Sequence, residues 1–212
     1  MIDWTERWHA TWNQLDLPAP ASLPTLLARY CEPQRHYHTL QHLEECFAAF
    51  ELLRSQATRP GEIELALWFH DAVYDPTRRD NEALSAALAV ACLRDAGASA
   101  SVIGRIESMI LATRQHDAAD DRDCAILLDV DLAILGAAPA RFAEYERQIR
   151  TEYAHVADDA YRVGRGQVLA GFLARPRLYL TDSFYERYDQ QARRNLGGPP
   201  TNEPGLVLQI LG

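Results

Sequence analysis

The sequence predicts an all-α protein, a single helical domain of about nine or ten helices. Three observations carry the helical reading. Apolar residues recur at i, i+3 or i+4 through nearly every segment, no run alternates apolar and polar residues with period two, and prolines and glycines mark the breaks between periodic segments. With 212 residues, 48% apolar and 24% charged, the chain can enclose one sizeable core and is too apolar to be mainly disordered.

The elements follow in order. Residues 3–15 put Trp4, Trp8, Trp12 and Leu15 on one face, and LDLPAPASLP then breaks the chain. Ser22 can cap a short helix through Cys31, with Pro24 tolerated in its first turn. After a break at Glu32-Pro33, a helix from about His38 to Arg54 carries Leu40, Leu43, Phe47, Phe50 and Leu53 on one side. Pro60-Gly61 opens IELALWFHDAVY, apolar nearly all round, which reads as a buried central helix ended by Asp75-Pro76. Asp80 can cap the next helix, with Gly97 as its stop, and Ser99 or Ser101 starts another with Val102, Ile106, Met109 and Ile110 inward. Residues 121–135 form a helix closed by Gly136, Pro139 opens a long amphipathic helix through about Val156, and two more cover roughly 158–174 and 181–196. The expected division is N-terminal helices 1–30 packed on a core of residues 31–196. A tail of residues 197–212 follows, its apolar LVLQIL free to dock on the body or a partner.

Composition excludes several functions. A formal net charge of −9 argues against a nucleic acid polymer as partner. All 21 basic residues are Arg, so neither a Schiff-base lysine nor a Walker A lysine exists, and any basic phosphate contact must be a guanidinium. The four cysteines, at 31, 46, 92 and 124, form no CxxC pair, which fits a reducing cytoplasm better than a disulfide scaffold or zinc ribbon. The first residues are not those of a signal peptide, and no apolar run is long enough for a membrane span. GxSxG, GxGxxG and HExxH are absent, and with no cysteine beside the polar clusters described next, a cysteine nucleophile is not expected.

Three polar clusters interrupt the apolar helices. In RHYHTLQH (35–42), His38 and His42 are four apart and share a face if both are helical. His70-Asp71 ends the most apolar segment, where a His-Asp pair is expensive to bury without partners. Asp129 and Asp131 stand among leucines and isoleucines and, at i and i+2, point to nearly opposite sides of a helix, so only one can face a given centre. Each cluster alone has an ordinary structural explanation. Together they favour a metal site built from imidazole and carboxylate, a set suited to Mn, Fe, Co, Ni, Zn or Mg.

In that order the clusters resemble the HD-domain superfamily of metal-dependent phosphohydrolases, and within it a bacterial family of predicted members. The segments carrying the resemblance are EPQRHYHTLQHL (32–43), FHDAVYDPTRRDNEALSA (69–86), LATRQH (111–116) and LDVDLAILG (128–136). IRTEY (149–153), VGR (163–165) and ARRNL (192–196) carry it more loosely. The resemblance implies an all-helical fold and one divalent cation held by His42, His70, Asp71 and Asp131, with His38 as the other choice for the first histidine and Asp129 for the distal aspartate. It implies His38 as the acid near the leaving group and Glu82 and His116 as further catalytic candidates. Asn81, Arg35, Arg114, Arg150 and Arg165 become substrate-binding candidates.

The function implied is hydrolysis of a small phosphoester or phosphoanhydride, such as a nucleotide, by water that the cation activates. Two other readings share the frame: a non-catalytic nucleotide- or partner-binding module, and a diiron oxygenase that would draw on His116 and Glu82.

Overall fold

The computed structural model describes residues 2–118 and 120–197, so residues 198–212 of the tail lie outside the described residues. Ten α-helices and two short 3-10 turns make up the described fold, with no strand among the described residues. The helices are α1 (Trp4–Asn13), α2 (Leu23–Arg29), α3 (Leu40–Glu51), α4 (Pro60–Phe69) and α5 (Asn81–Asp95). They continue with α6 (Ala100–Ala112), α7 (Arg122–Asp131), α8 (Pro139–Glu152), α9 (Asp158–Leu173) and α10 (Asp182–Asn195).

Helix α4 is the axis of the molecule. Every residue from Gly61 to Phe69 is buried, and α1, α3, α5, α6 and α7 all pack on it. A helix with no polar face has to be surrounded in this way. The tryptophan stripe of α1 joins the same core: Trp8 meets Trp68 edge-on with ring centroids 5.2 Å apart, and Trp68 Nε1 donates to Thr11 Oγ1. One continuous apolar cluster therefore runs from Trp8 to Leu196. Gly136 is fixed by close approach, because a Cβ there would lie 2.6 Å from Tyr188 Cβ and 2.9 Å from the Tyr179 hydroxyl. Helix α9 is the exception to the dense packing, since none of its residues is buried.

Several helix boundaries differ from the periodicity: the helix expected over 121–135 ends at Asp131 and continues as a 3-10 turn over Leu132–Gly136. Two further differences shape the site. The central helix stops at Phe69 instead of running to Tyr74, leaving His70 as its C-cap and Asp71 in the turn beyond. The exit is stabilised by side chains that take up its backbone groups. The Tyr30 hydroxyl donates to the Trp68 carbonyl, the Arg35 guanidinium to the carbonyls of Asp71 and Ala72, and the Val73 N–H donates to Ser85 Oγ. Helix α3 starts at Leu40 rather than His38, with Thr39 extended at its N-cap and accepting from the Gln41 N–H. His38 is thus in the turn before the helix, not one helical turn from His42.

Candidate metal centre

His42 lies in the first turn of α3, His70 caps α4, and Asp131 is the last residue of α7. The carbonyl ends of α4 and α7 therefore meet beside the start of α3, and the negative ends of two helix dipoles favour a cation between them. The side chains converge. His42 Nε2 is 3.1 Å from His70 Nε2, 3.3 Å from Asp131 Oδ1 and 3.5 Å from Asp71 Oδ2. His70 Nε2 is 3.1 Å from Asp71 Oδ2 and 3.5 Å from Asp131 Oδ1.

The chemistry of this set fits a divalent cation. His70 Nδ1 lies 2.9 Å from the Leu67 carbonyl, which can only accept, so Nδ1 carries the hydrogen and Nε2 presents its lone pair to the cluster. Two imidazole nitrogens and two carboxylate oxygens thus face one another, and each Nε2 can carry either a proton or a bond to a metal ion. A first-row ion with bonds of about 2.0–2.2 Å sets neighbouring ligand atoms roughly 3.0–3.5 Å apart, the spacing seen here. Burial works against charge on all four groups. It is outweighed for His42 by Cys46, Tyr37 and the two carboxylates, and for His70 by Asp71 and Asp131, so both rings are pushed well above their ordinary values. It is likewise outweighed for Asp71 and Asp131 by the surrounding imidazoles, which hold both well below the carboxylate range. Protons and a cation compete for the same atoms.

A buried group of His42, Cys46, His70 and Asp131 could hold a metal ion, with one ligand atom from each lying within 4.8 Å of the others. Cys46 is a correction to the sequence reading, which found no cysteine beside the polar clusters. It lies four residues after His42 on α3, a spacing that was available from the sequence alone. Its Sγ sits 3.6 Å from both His42 nitrogens, against the ring rather than along either lone pair. Asp129 turns the opposite way from Asp131. Its carboxylate accepts from the N–H groups of Leu180 and Thr181 and from the Thr181 hydroxyl, fixing the approach to α10.

His38 stands beside the cluster, its ring centroid 5.9 Å from that of His42 and stacked on Tyr74 at 3.9 Å. Its Nδ1 is 2.8 Å from Glu152 Oε2, which leaves Nε2 as the outward atom. Glu152, the last residue of α8, is the organiser that sequence reasoning missed. One oxygen accepts three backbone N–H groups, of His36, Tyr37 and His38, and the other takes the Tyr74 hydroxyl. Burial raises the Glu152 carboxyl, but the His38 ring and these N–H donors overcome that and bring it down to about 2. No local pattern in the sequence connects Glu152 to His38; only the fold does.

His116 is half-buried after α6 in the left-handed region, φ 53°, and its Nε2 lies 3.1 Å from Asp131 Oδ2. Histidine is among the side chains that tolerate this backbone region best. The remaining candidates are not brought to the cluster in the same way. Arg35 is buried, and its guanidinium is spent on Glu32 and on the carbonyls of His38, Asp71 and Ala72, so it holds the backbone of the site in place of a ligand. Asn81 clamps both backbone groups of Asp75, and Arg150 ties down the α8–α9 connection through the carbonyls of Tyr153 and Val156 and through Asp158. Arg114 is exposed, and neither it nor Glu82 lines the adjoining cavity. Arg165 does line it, bonded to the Tyr145 hydroxyl and Glu146.

That cavity has a volume of about 570 Å³ and opens from His38, His116 and Asp131 toward α8 and α9. No helix among the described residues is long and apolar enough to cross a membrane. Comparison with family models, curated proteins and solved structures finds no match for this chain.

Proposed function

We propose that the chain is a metal-dependent phosphohydrolase of the HD-domain kind, acting on a small phosphate ester. The observation that carries this reading is the convergence of His42, His70, Asp71 and Asp131 at 3.1–3.5 Å at the head of an open cavity. The order of these residues along the chain is the one on which the family resemblance rests. A divalent cation held by them supplies Lewis acidity toward a phosphoryl oxygen and acidifies water for attack.

The protein's own groups supply the rest. His38, oriented by Glu152 at Nδ1, holds a proton at Nε2 for the leaving alcohol oxygen. The stack on Tyr74 and the three N–H bonds to Glu152 fix that imidazole before substrate arrives. Arg35 holds the turn carrying Asp71 and the carbonyl of His38 together, so ligand and acid keep a fixed separation.

Elemental analysis of protein purified without chelator, followed by a phosphate-release screen with Mn, Co, Ni and Mg, tests the reading. We expect about one divalent ion per chain and metal-dependent release from at least one small ester. Protein that binds no divalent ion, or binds one and releases no phosphate from any ester, overturns it. One observation favours a second reading: Asp131 offers Oδ1 to the two imidazoles and Oδ2 to His116, as a carboxylate between two ions would. Two irons per chain with an oxygen-dependent colour would select that alternative.

A further inference from the structure

The cavity beyond the cluster is poorly suited to a highly charged ligand. Its walls are rings such as Tyr74, Tyr153 and Phe172 and aliphatic chains such as Leu135, Ile149 and Val168. Arg165 is the one guanidinium among its lining residues, and it is already matched by Glu146. A polyphosphate enclosed by such walls would leave most of its charge uncompensated. A single phosphate at the cluster end has no such difficulty.

We propose that the cavity takes the hydrophobic body of a phosphomonoester, the phosphate of an alkyl or aryl alcohol. Its single phosphate lies toward the His/Asp cluster. The phosphate end rests on the phosphohydrolase reading; the body rests on the walls alone. A volume of about 570 Å³ is within the range of sites for small organic ligands.

Titration calorimetry on the manganese-supplemented protein with methyl, butyl and octyl phosphate tests it. Affinity should rise about threefold for each methylene that enters the cavity, with an increasingly negative heat-capacity change. A nucleoside triphosphate should bind more weakly than octyl phosphate. Gly164→Leu fills the cavity from α9, where a Cβ meets nothing within 4 Å, and leucine is the better helix former. The octyl-to-methyl affinity ratio should fall roughly tenfold in that variant, about two methylenes' worth of contact, with metal content retained. Equal affinity along the series, or tighter binding of the triphosphate, overturns the proposal. Chain-length-dependent binding with no phosphate released from any ester upholds it and removes the hydrolase reading. Phosphate release at a rate indifferent to chain length does the reverse.

Discussion

Buried polar groups along helix α4 are satisfied in different ways. Midway along it, Glu64 receives Arg7 at 2.6 Å, Arg54 at 2.8 Å and Gln14 Nε2 at 2.9 Å. Acceptor and donors are all supplied by the chain, and the charge is matched on the spot. At its C-terminal end, His70 joins His42, Asp71 and Asp131 in a set of nitrogens and carboxylate oxygens all turned to one point. No guanidinium enters that set, although Arg35 is close enough to bond the Asp71 carbonyl at 2.7 Å. The first cluster is complete as folded protein. The second could hold a metal ion in place of protons, and that choice separates a candidate site from a structural ion pair.

The largest effect should come from removing a charged member of the second cluster. Asp71→Ala should lose bound metal and bring phosphate release to background, since even outer-shell substitutions cost ~10–100-fold. Full metal occupancy in that variant, read by elemental analysis, would break the comparison by showing that Asp71 is a bystander. His38→Ala comes next. With its ring outside the ligand set, metal content should stay near wild type while the rate falls about 10²–10⁴-fold. The loss should be smaller on a nitrophenyl phosphate, whose leaving oxygen needs no proton. Equal loss on good and poor leaving groups would move His38 from acid to substrate positioning.

At the complete cluster the same kind of change should act on folding instead. Glu64→Leu takes one of two carboxylates from Arg7 and Arg54, which both keep Glu51, and should cost about 2 kcal/mol, below the usual range for a broken buried pair. A value below that range is apt because the Arg7 and Arg54 side chains also keep 18% and 29% of their exposure. Urea midpoints should report it, and metal stoichiometry should not move. A Glu64→Leu protein as stable as wild type would mean that this cluster, too, is not there for stability.

The fold was legible where one local rule governed. The Trp4-Trp8-Trp12 stripe, Ser99 as a side-chain cap, Pro60 and Pro139 in first turns, and Gly97 at φ 83° all follow from spacing and backbone preference. Ser22 and Asp80 stand at the N-caps of α2 and α5 without a capping bond from their side chains. The early end of α4 was not legible, because the residues that accept its exit, Tyr30, Arg35 and Ser85, come from other segments. The arginine candidates show the same limit: a guanidinium reads alike in sequence whether it lines a cavity, as Arg165 does, or holds three backbone carbonyls, as Arg35 does. Of the residues around His38, Glu152 could be found only by folding the chain.

Glu152 offers the finest division of the comparison, because it is a carboxylate within the site that is satisfied in the manner of Glu64. It faces the His38 ring, the Tyr74 hydroxyl and three backbone N–H groups. Burial opposes its charge, but the His38 and N–H bonds prevail and lower its value from 4.5 to about 2 in the folded protein. A carboxylate lowered by folding stabilises the native state fully above its unfolded value and loses that contribution as pH falls through the folded one. The contribution should therefore be complete above about pH 5 and fade between 4.5 and 2. Glu152→Gln removes the titration. At pH 7 the variant should be less stable by about 2–3 kcal/mol, and the gap should narrow steadily as both proteins are titrated toward pH 3. Paired urea titrations at pH 7, 5, 4 and 3 measure it. A gap of constant size would mean that Glu152 acts by shape alone, and the distinction between a carboxylate matched by the chain and one that could hold a cation would then rest on Glu64 without support from within the site.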